Sequence, residues 1–405
     1  MLFSAVFADI RRVAVFAFLS EIKKTTKIKL HKKNQAQKTI LKTYCVCNQI
    51  MVKCMQKSTG KVIMRATLKF LSEQSGLSIA AISLILNDKP VRVSPEKKIL
   101  VKNLAKQYNY KPNMTAVALV TKKTKTIGLI LPDIVNPFFA VVASEINQKF
   151  HDAGYNIILC NTNNDIDLEN KYAGMLEEKQ LEALIICASD ENHQCDLSGF
   201  YDQNIPVIFF DRYYADSNYI VSIDNTEGAR QAVKYLIENG HQNIAMITGP
   251  LSYRSARTRI DGYKEALIEA GLQVNEDYIV VGDYTFDGGQ RAAKIIGEFD
   301  EVTAVFASND LMAYGAMKEF SDSGKNVPND ISIVGFDDLN FSQMLRTPLT
   351  SVKQNLKELA ENVFGLTMRA INGHVVPTHK VVATNLIERD SVVNRESVHN
   401  ISAVK

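Results

Sequence analysis

The alternation of short apolar runs with amphipathic segments constrains the fold more than any other feature of this sequence. The runs of strand length are Ile127–Pro132, Asn156–Cys160, Ala183–Cys187, Val207–Phe210, Ile220–Ile223, Ile244–Ile247, Ile279–Gly282, Ala304–Ala307 and Ile331–Gly335. The segments with helical spacing are 138–153, 167–179, 226–239, 256–270, 287–298, 311–323 and 356–372. Because strands and helices alternate, this region is predicted to be α/β, with parallel sheets and helices on both faces. So many strands favour two lobes over a single sheet.

Composition indicates a globular chain of more than one domain. Of 405 residues 46% are hydrophobic, which is enough for buried cores and too many for a disordered or collagen-like chain. The six cysteines include no pair spaced like metal ligands, which excludes a disulfide scaffold and favours a reducing compartment. No stretch reaches about 18 uninterrupted apolar residues, so neither a membrane-spanning helix nor a membrane partner is predicted.

Charge is distributed unevenly along the chain, although the net charge is only +3. Residues 1–125 contain 25 basic and 5 acidic side chains, whereas residues 126–405 contain 22 basic and 39 acidic side chains. A basic front on an acidic body favours a polyanion as the partner of the front. A solvated lysine-rich face without such a partner is the alternative interpretation.

The first 63 residues show no persistent helical or strand period. Their apolar stretch, Leu2–Leu19, is interrupted by charges and is followed by a charged segment where a signal peptide would have a cleavage site. Eleven lysines and no acidic residue lie between Lys23 and Lys61. The three cysteines of the segment lack the paired motif of a zinc site. We therefore expect a disordered basic tail, or an extension upstream of the working start at Met64.

Residues 64–112 have the pattern of three short helices. The segments are Thr67–Ser75, Ile79–Leu86 and a third that opens at Ser94-Pro95-Glu96. Gly76 suits a left-handed helix end, and Ser78 is a good cap for the second helix. The apolar positions expected to face inward are Leu68, Leu71, Ile82, Ile85, Leu86, Leu100, Val101, Leu104 and Tyr108. Two short helices joined at a glycine and followed by a third are typical of a helix-turn-helix unit, and the surrounding lysines favour DNA binding over a generic three-helix bundle.

Polar and aromatic side chains follow the predicted strands of the body, where open parallel sheets bind ligands. They are Asp133, Asn136, Phe138, Phe139, Asp211, Arg212, Asp224, Asn225, Asn309, Asp310, Asp337 and Asp338, with Arg259 in a following helix. Carboxylates accept from neighbouring hydroxyls, arginines donate to oxygens and aromatic faces cover apolar ring surfaces, which together suit a sugar. Aspartate at a strand end is also an ordinary helix cap, and Asp224 and Asp310 are expected to have that structural role.

Motifs of enzymes are missing from the sequence. It has no G-x-G-x-x-G after the first predicted strand, no G-x-x-x-x-G-K-[ST] and no G-x-S-x-G. The seven histidines are scattered and form no H-E-x-x-H. The body is therefore predicted to bind a molecule without transforming it, and to need neither a cofactor nor a metal.

Several longer motifs follow one another in a fixed order from residue 64 to residue 391. They are TLKFLSEQSGLSIAAISLILNDKP, YKPNMTAVAL, KTIGLILPDIVNPFF, VSIDNTEGARQAVKYLIENGHQNIAMITG, RIDGYKEAL, ASNDLMAYGAMK, ISIVGFDD, LTSVKQN and IERDS. Their order and spacing resemble the lactose-repressor/galactose-repressor (LacI/GalR) family of bacterial transcription regulators. The resemblance implies a sequence-specific, ligand-responsive repressor that acts in the cytoplasm and binds the nucleoid.

The resemblance also implies a division into domains. The divisions are an extension at 1–63, a helix-turn-helix domain at 64–112, a hinge and linker at 113–125, a two-lobed periplasmic-binding-protein-like body at 126–391 and a tail at 392–405. Lobe 1 would comprise about 126–222 and 355–385, and lobe 2 about 223–354. The partners would be double-stranded operator DNA, a small effector such as a sugar, and further copies of the chain in a homodimer or tetramer.

In this family the second helix reads base edges in the major groove. By position in the motif, the DNA-contacting residues would be Thr67, Leu68, Ser78, Ile79, Ala80, Ser83, Leu84 and Asn87. The sequence departs from the family at Ala81, where threonine is common, and at Leu84, where arginine is common. An arginine can bind guanine O6 and N7, worth roughly 1–3 kcal/mol of discrimination, whereas a leucine offers only apolar contact. The usual operator sequence is therefore not expected.

The family's hinge corresponds to residues 113–120. Asn113 would cap a short helix, Ala116 would permit close approach, and Leu119 would wedge between base pairs in the minor groove. A helix this short is unstable alone and would form only when two hinges pair on DNA. A plain linker is the alternative.

The effector contacts are expected among the polar and aromatic side chains that follow the strands of the body, and the family resemblance adds Tyr284. The candidate residues are Asn136, Phe138, Phe139, Asp211, Arg212, Arg259, Tyr284, Asn309 and Asp337. Among them Arg259, Asn309 and Asp337 would bind the ligand directly, and Phe139 and Tyr284 would stack on it. Three alternatives stay open: a protein co-regulator replaces the effector, the chain is a sugar-binding transport protein, or it is a sugar-modifying enzyme.

Overall fold

The structure is a computed structural model that describes residues 66–110, 123–374 and 376–395. The described residues form two compact units, one before residue 112 and one after residue 113. The helices of the first unit are α1 (Leu68–Ser75), α2 (Ile79–Leu86) and α3 (Pro95–Gln107). These are the three helices that the sequence predicts.

Local capping explains where the helices of the first unit begin and end. The Thr67 hydroxyl accepts from the Phe70 amide at 3.2 Å, and Gly76 ends α1 with a φ of 68°. The Ser78 hydroxyl accepts from the Ala81 amide at 3.2 Å and starts α2. Ser94 precedes α3 as expected, but its hydroxyl makes no hydrogen bond to the helix backbone. It bonds instead to the Glu96 carboxylate, and this hydrogen bond lowers the pKa of Glu96.

Leu71, Ile82, Ile85 and Val101 form the core of the first unit. Two predicted core positions of α3 are wrong: Leu100 is 42% exposed and Tyr108 is 41% exposed. The stripe of α3 that meets α1 and α2 is narrower than its apolar composition suggests. Tyr108 nevertheless contacts the Phe70 ring edge to face, at 4.9 Å between centroids.

The second unit contains two six-stranded sheets with helices on both faces. The strands are β1 (Thr126–Leu131), β2 (Asn156–Asn161), β3 (Ala183–Ile186), β4 (Val207–Phe210), β5 (Tyr219–Ile223), β6 (Ile244–Thr248), β7 (Ile279–Val281), β8 (Ala304–Ala307), β9 (Ser332–Asp337), β10 (Thr350–Gln354), β11 (Thr378–Val382) and β12 (Thr384–Ile387). The helices are α4 (Pro137–Asp152), α5 (Ile166–Glu177), α6 (Ser198–Asp202), α7 (Asn225–Glu238), α8 (Arg254–Glu269), α9 (Phe286–Ile296), α10 (Asp310–Asp322) and α11 (Leu356–Ile371), with 3-10 turns at Glu276–Tyr278 and Asn340–Met344.

The strand order defines two lobes. Lobe 1 has the order β11-β5-β4-β3-β1-β2, and lobe 2 has the order β12-β10-β9-β8-β6-β7. Neighbouring strands are parallel except β10 and β12, which are antiparallel. The mixed α/β fold class with two parallel-sheet lobes is thus confirmed. Among the described residues, no helix combines the length and the apolar character needed to cross a bilayer.

The chain passes between the lobes three times, which the sequence does not reveal. It enters lobe 2 after β5, returns to lobe 1 for α11 and β11, and enters lobe 2 again for β12. Lobe 1 therefore ends earlier than the expected residue 385, because Thr384 pairs with Gln354 in the lobe 2 sheet. β10, β11 and β12 were not predicted, since their sequences TSVKQ, THKVV and TNLI mix polar and apolar residues.

His241 joins lobe 2 to the last described residues. Its ring nitrogens contact Thr303 Oγ1 at 2.9 Å and the Val393 carbonyl oxygen at 3.2 Å, and it is 1% exposed. The Arg395 amide also donates to the Asn239 carbonyl at 3.0 Å. Residues 392–395 therefore pack on lobe 2, although they were expected to belong to a separate tail. Burial lowers the pKa of His241 to about 4, so its ring is neutral at physiological pH.

We predict that His241 makes stability fall as the pH falls. Its pKa in the folded state lies below that of an unfolded histidine, about 6.5, so protonation favours the unfolded chain. The contribution is complete above about pH 6.5 and falls by about 2 kcal/mol on reaching about pH 5. Urea unfolding of the wild type and of His241→Gln at the two pH values measures it. His374→Gln, which removes an exposed histidine, is the control. Equal pH dependence of the wild type and His241→Gln would contradict the assignment.

Candidate functional site

A cleft lies between the carboxyl ends of the two sheets. The structure brings all nine predicted effector residues to this cleft, although they come from positions 136 to 337. Its lining consists of Asn136, Phe138, Phe139, Asp211, Arg212, Ser255, Arg259, Tyr284, Asn309, Asp337 and Gln354. Both lobes contribute, so a molecule bound here would contact each of them.

The aromatic wall of the cleft comes from the start of α4. Asn136 accepts from the Phe138 amide at 3.0 Å and caps the helix. The Phe138 and Phe139 rings meet edge to face at 4.9 Å between centroids, and both are buried. The Arg212 guanidinium lies 5.4 Å from the Phe139 ring centre. The cap therefore fixes an aromatic and cationic surface at one side of the cleft.

Asp211 and Arg212 follow β4, as the sequence predicts. Asp211 has a φ of 57°, a left-handed conformation that aspartate tolerates, and loss of hydration raises the pKa of its carboxyl group. Arg212 Nη1 donates to Asn164 Oδ1 at 2.9 Å, but the buried Arg212 Nε has no partner. An unpartnered buried donor is costly, so this atom is suited to an acceptor on a ligand.

Arg259 projects from α8 and is almost completely buried. Its Nε donates to Asn225 Oδ1 at 2.8 Å, its Nη1 donates to the Ser308 carbonyl, and its guanidinium lies 3.7 Å from the Phe336 ring centre. These contacts fix the plane of the guanidinium. Of the five N–H groups, one on Nη1 and both on Nη2 are left as donors for a ligand.

Asn309 and Tyr284 depend on each other. Asn309 Oδ1 accepts from the Met312 amide at 2.9 Å and caps α10, while its Nδ2 donates to the Tyr284 carbonyl at 3.0 Å. Both heavy atoms of the amide thus already hold protein partners, so Asn309 positions the wall as well as lining it. The Tyr284 ring covers Gly249, where a Cβ would lie 2.1 Å from Cζ. Only glycine leaves room for the ring in this position.

Asp337 ends β9 in an unusual backbone conformation, with a φ of 117°. Its carboxylate accepts from Gln354 Nε2 at 2.6 Å. Burial raises its pKa well above the usual range, although the Arg259 charge opposes this effect. The buried Gln354 Oε1 has no partner. The cleft therefore has an unpartnered acceptor on lobe 2, in the residue that bonds to the Asp337 carboxyl group, and an unpartnered donor on lobe 1, in Arg212.

The two aspartates expected to be structural lie outside the cleft lining. Asp224 accepts from the Glu227 amide at 3.1 Å and caps α7. Asp310 is not a cap: it accepts from the Leu339 amide at 2.8 Å and from the Ser342 and Ser351 hydroxyls at 2.6 Å each. Burial raises the pKa of Asp310 to about 6. This network fixes the turn that follows Asp337.

Two lining residues were not predicted. Ser255 precedes Arg259 by four residues, so helical periodicity would have placed it on the same face of α8. Gln354 lies at the end of β10, a strand that was not predicted because its sequence is largely polar. In the part of the chain that the structure describes, no group of three or more His, Cys, Asp or Glu side chains could hold a metal ion.

In the first unit, α2 presents a face opposite its core. Ile82 and Ile85 are buried, whereas Ile79 and Ala80 are exposed and Ser83 and Leu84 are partly exposed. Among the remaining predicted contact positions, the structure leaves Thr67, Ser78 and Asn87 exposed and Leu68 partly buried against the core. The predicted hinge residues Asn113, Ala116 and Leu119 lie outside the described residues.

Comparison with known proteins agrees with both units. Residues 233–392 match the family model of the periplasmic binding protein-like domain. Catabolite control protein A of Priestia megaterium is 35% identical over 80% of this chain and 98% of its own length. The ribose operon repressor of Halalkalibacterium halodurans is 33% identical over 82% of this chain and 99% of its own length. Among solved structures, a lac repressor dimer bound to operator and an anti-inducer matches with a TM-score of 0.73 and 26% identity, covering 81% of this chain and 99% of that one.

Proposed function

The chain belongs to the LacI/GalR family of transcription regulators, and we propose that a sugar bound in its cleft controls its affinity for an operator. It is a DNA-binding transcriptional repressor and not an enzyme. One observation carries the proposal: the nine polar and aromatic residues expected to contact an effector line one cleft, on a chain that also has a helix-turn-helix unit.

The chemistry of the cleft supports a neutral polyhydroxylated ligand. Asp211 and Asp337 provide carboxylates, Arg212 and Arg259 provide donors, and the rings of α4 provide an apolar wall. The cleft combines arginine donors with carboxyl oxygens that can accept, so a ligand with paired hydroxyls, which both donate and accept, satisfies it better than a group that only donates or only accepts. A sugar would accept from the Arg212 Nε and donate to the Gln354 Oε1, both of which are buried without partners.

For DNA we propose readout by the exposed face of α2 and positioning by the basic residues around it. The residues that would face base edges are Ile79, Ala80, Ser83 and Leu84. The hydroxyls of Thr67 and Ser78, which cap the helices, would lie at the phosphates, beside Leu68 and Asn87. Asn113, Ala116 and Leu119 would form the hinge that widens and kinks the minor groove. We place this activity in the cytoplasm, on the nucleoid.

The domain limits follow from the same assignment. We propose that residues 64–112 read DNA, that 113–125 transmit the signal, and that the body from 126 onward binds effector and a second copy. Residues 1–63 would be dispensable for operator binding. The protein acts as a homodimer, which places two recognition helices on the two half-sites of one operator.

An exposed apolar face on lobe 2 suits the contact between the copies. The 3-10 turn Asn340–Met344 exposes Met344 to 72% and Phe341 to 58%, and α9 adds Phe286 at 39%. Phe341 and Met344 lie in one short turn, and Phe286 lines a pocket with the next residue, Leu345. Large exposed apolar surfaces on a monomer often mark a protein interface. We propose that the second copy covers them.

We predict that Asp337→Ala abolishes the effector response and leaves operator binding intact. Removing the carboxylate leaves sugar hydroxyls unpaired, at about 1–3 kcal/mol per group, so effector affinity should fall at least about tenfold. Calorimetric titration with sugars and operator binding of the same preparation measure the two properties. Asp337→Asn, which keeps the shape, should fall between the wild type and Asp337→Ala. Asp133→Ala, at a carboxylate outside the cleft lining, is the control. An unshifted response of Asp337→Ala would leave this carboxylate with only a structural role, and a wild type that binds no sugar would favour a protein co-regulator.

We predict that Leu84→Arg shifts operator preference towards guanine at one position per half-site. A guanidinium in this position can bind O6 and N7, which favours guanine by about 1–3 kcal/mol. Selection from random DNA measures the preference. Ile99→Arg is the matched control, because it adds the same charge on an exposed position of α3 and should raise affinity for all sequences alike. The same base preference in Leu84→Arg and the wild type would place residue 84 outside the groove.

We predict that Met344→Glu converts the dimer to monomers. An unpaired carboxylate buried under the second copy costs several kcal/mol, so the dimer dissociation constant should rise at least about a hundredfold. Sedimentation equilibrium measures it. Ile268→Glu introduces the same charge at an exposed position of α8 and should leave the dimer unchanged. If only Ile268→Glu dissociates the dimer, the interface lies elsewhere.

A further inference from the structure

Two pairs of consecutive residues from opposite lobes meet beside the cleft. Arg212 and Tyr213 belong to lobe 1, and Tyr253 and Arg254 belong to lobe 2 at the start of α8. The Arg212 guanidinium lies 3.7 Å from the Tyr253 ring centre, and the Arg254 guanidinium lies 4.0 Å from the Tyr213 ring centre. Each lobe thus supplies one cation and one aromatic face, in reciprocal order. We name these four residues the rim clasp.

A carboxylate from lobe 1 strengthens the same junction. α8 begins at Tyr253 with no side-chain cap of its own and has no acidic residue in its first turn. Its Arg254 amide instead donates to Glu191 Oε2, from the loop after β3. A carboxylate at a helix N-terminus is favoured by the free amides and by the helix dipole. Lobe 1 therefore caps a helix of lobe 2.

The rim clasp is continuous with the effector cleft. Arg212 lines the cleft, and Asn164 Oδ1 accepts both from Arg212 Nη1 at 2.9 Å and from the Tyr253 hydroxyl at 3.4 Å. On the lobe 2 side, the Tyr253 ring stacks on Tyr284 at 6.3 Å between centroids. Tyr253 thus limits where the Arg212 guanidinium can lie, without being part of the lining itself.

We propose that the rim clasp, together with Glu191, is a latch that stabilises the closed arrangement of the two lobes and orients Arg212 in the cleft. Both cation–π pairs and the Glu191 cap join one lobe to the other, so they exist only when the lobes are together. Each of them favours the closed state over an open one by its whole interaction energy. Tyr213, Tyr253, Arg254 and Glu191 are then positioning residues that act through Arg212 and through closure.

If the proposed function is right, the latch also affects effector binding; the latch itself does not depend on that function. A ligand held by both lobes binds the closed state, so its apparent affinity falls with the population of that state. Loss of the latch would weaken effector binding although no effector contact had been removed.

The test measures lobe closure directly in the full-length protein, without effector. Dyes placed through non-canonical amino acids at Lys171 on α5 and Lys294 on α9 report the separation of the lobes by single-molecule energy transfer, in dimers with one labelled subunit. Both positions are exposed, and neither belongs to the latch. Arg254→Met and Tyr213→Leu each remove one partner of the same cation–π pair. Each should lower the ratio of closed to open molecules by about threefold to tenfold.

Matched variants separate a latch from general destabilisation. Tyr213→Phe keeps the ring and should behave like the wild type. Arg230→Met removes an arginine whose partners, Glu227 and Glu269, lie within lobe 2, so closure should not change. The double variant of Arg254→Met and Tyr213→Leu should lower the ratio no further than either single variant, because both remove one interaction.

Glu191→Ala tests the cap independently and should lower the ratio of closed to open molecules by about tenfold. Asp165→Ala removes a cap that lies wholly within lobe 1, on α5, and should leave the ratio unchanged. The proposal is overturned if Arg254→Met and Tyr213→Leu both keep the wild-type ratio, or if Arg230→Met and Asp165→Ala lower it as much. Since no effector is present, failure of the latch and failure of sugar binding are distinct results.

Discussion

Parallel pairing of strands is the constraint on which the ligand site of this protein depends. In each lobe all strands except β12 run in the same direction, so residues that follow different strands meet at one edge of the sheet. Asp211 follows β4, Asn309 follows β8 and Asp337 ends β9, yet all three line one cleft. No short-range sequence signal joins them. The register of the two sheets does.

The edge of the sheet also stores backbone strain where the ligand would lie. Asp211, Tyr284 and Asp337 have positive φ values of 57°, 64° and 117°. Such conformations persist only where surrounding contacts determine them. At Asp337 those contacts are the buried Asp310 network and the ion pair of Asp338 with Arg389 at 2.5 Å. Arg389, which follows β12, thus helps to hold the Asp337 side chain in the cleft lining.

Sequence patterns predicted most of the fold and eight of the nine cleft residues proposed for the effector, because apolar runs and the polar residues that follow them are local signals. Tyr284 was expected only from the family resemblance. They failed where structure depends on partners distant in sequence. β10 to β12 carry mixed sequences that become strands only through their neighbours, and Gln354 was missed with them. The contact of Arg212 with Tyr253 depends on how the two lobes meet, and hydrophobic periodicity along the sequence cannot predict such a contact. Leu100 was predicted to be buried because it is apolar and lies on the expected face of α3, but it is exposed to solvent. Composition alone does not determine how many positions of a helix contact its neighbours.

Because both lobes line the cleft, a bound ligand can change how the two lobes are arranged. Asn136, Phe138, Phe139, Asp211 and Arg212 line it from lobe 1, and the other six residues from lobe 2. The three crossings between the lobes allow closure but not free separation, so closing is a hinge motion with few degrees of freedom. A ligand that contacted one lobe only would bind open and closed states equally and would shift neither. Contacts shared across the cleft are therefore what converts binding energy into a change of lobe arrangement. Such a change of lobe arrangement is what the proposed control of operator affinity by an effector requires.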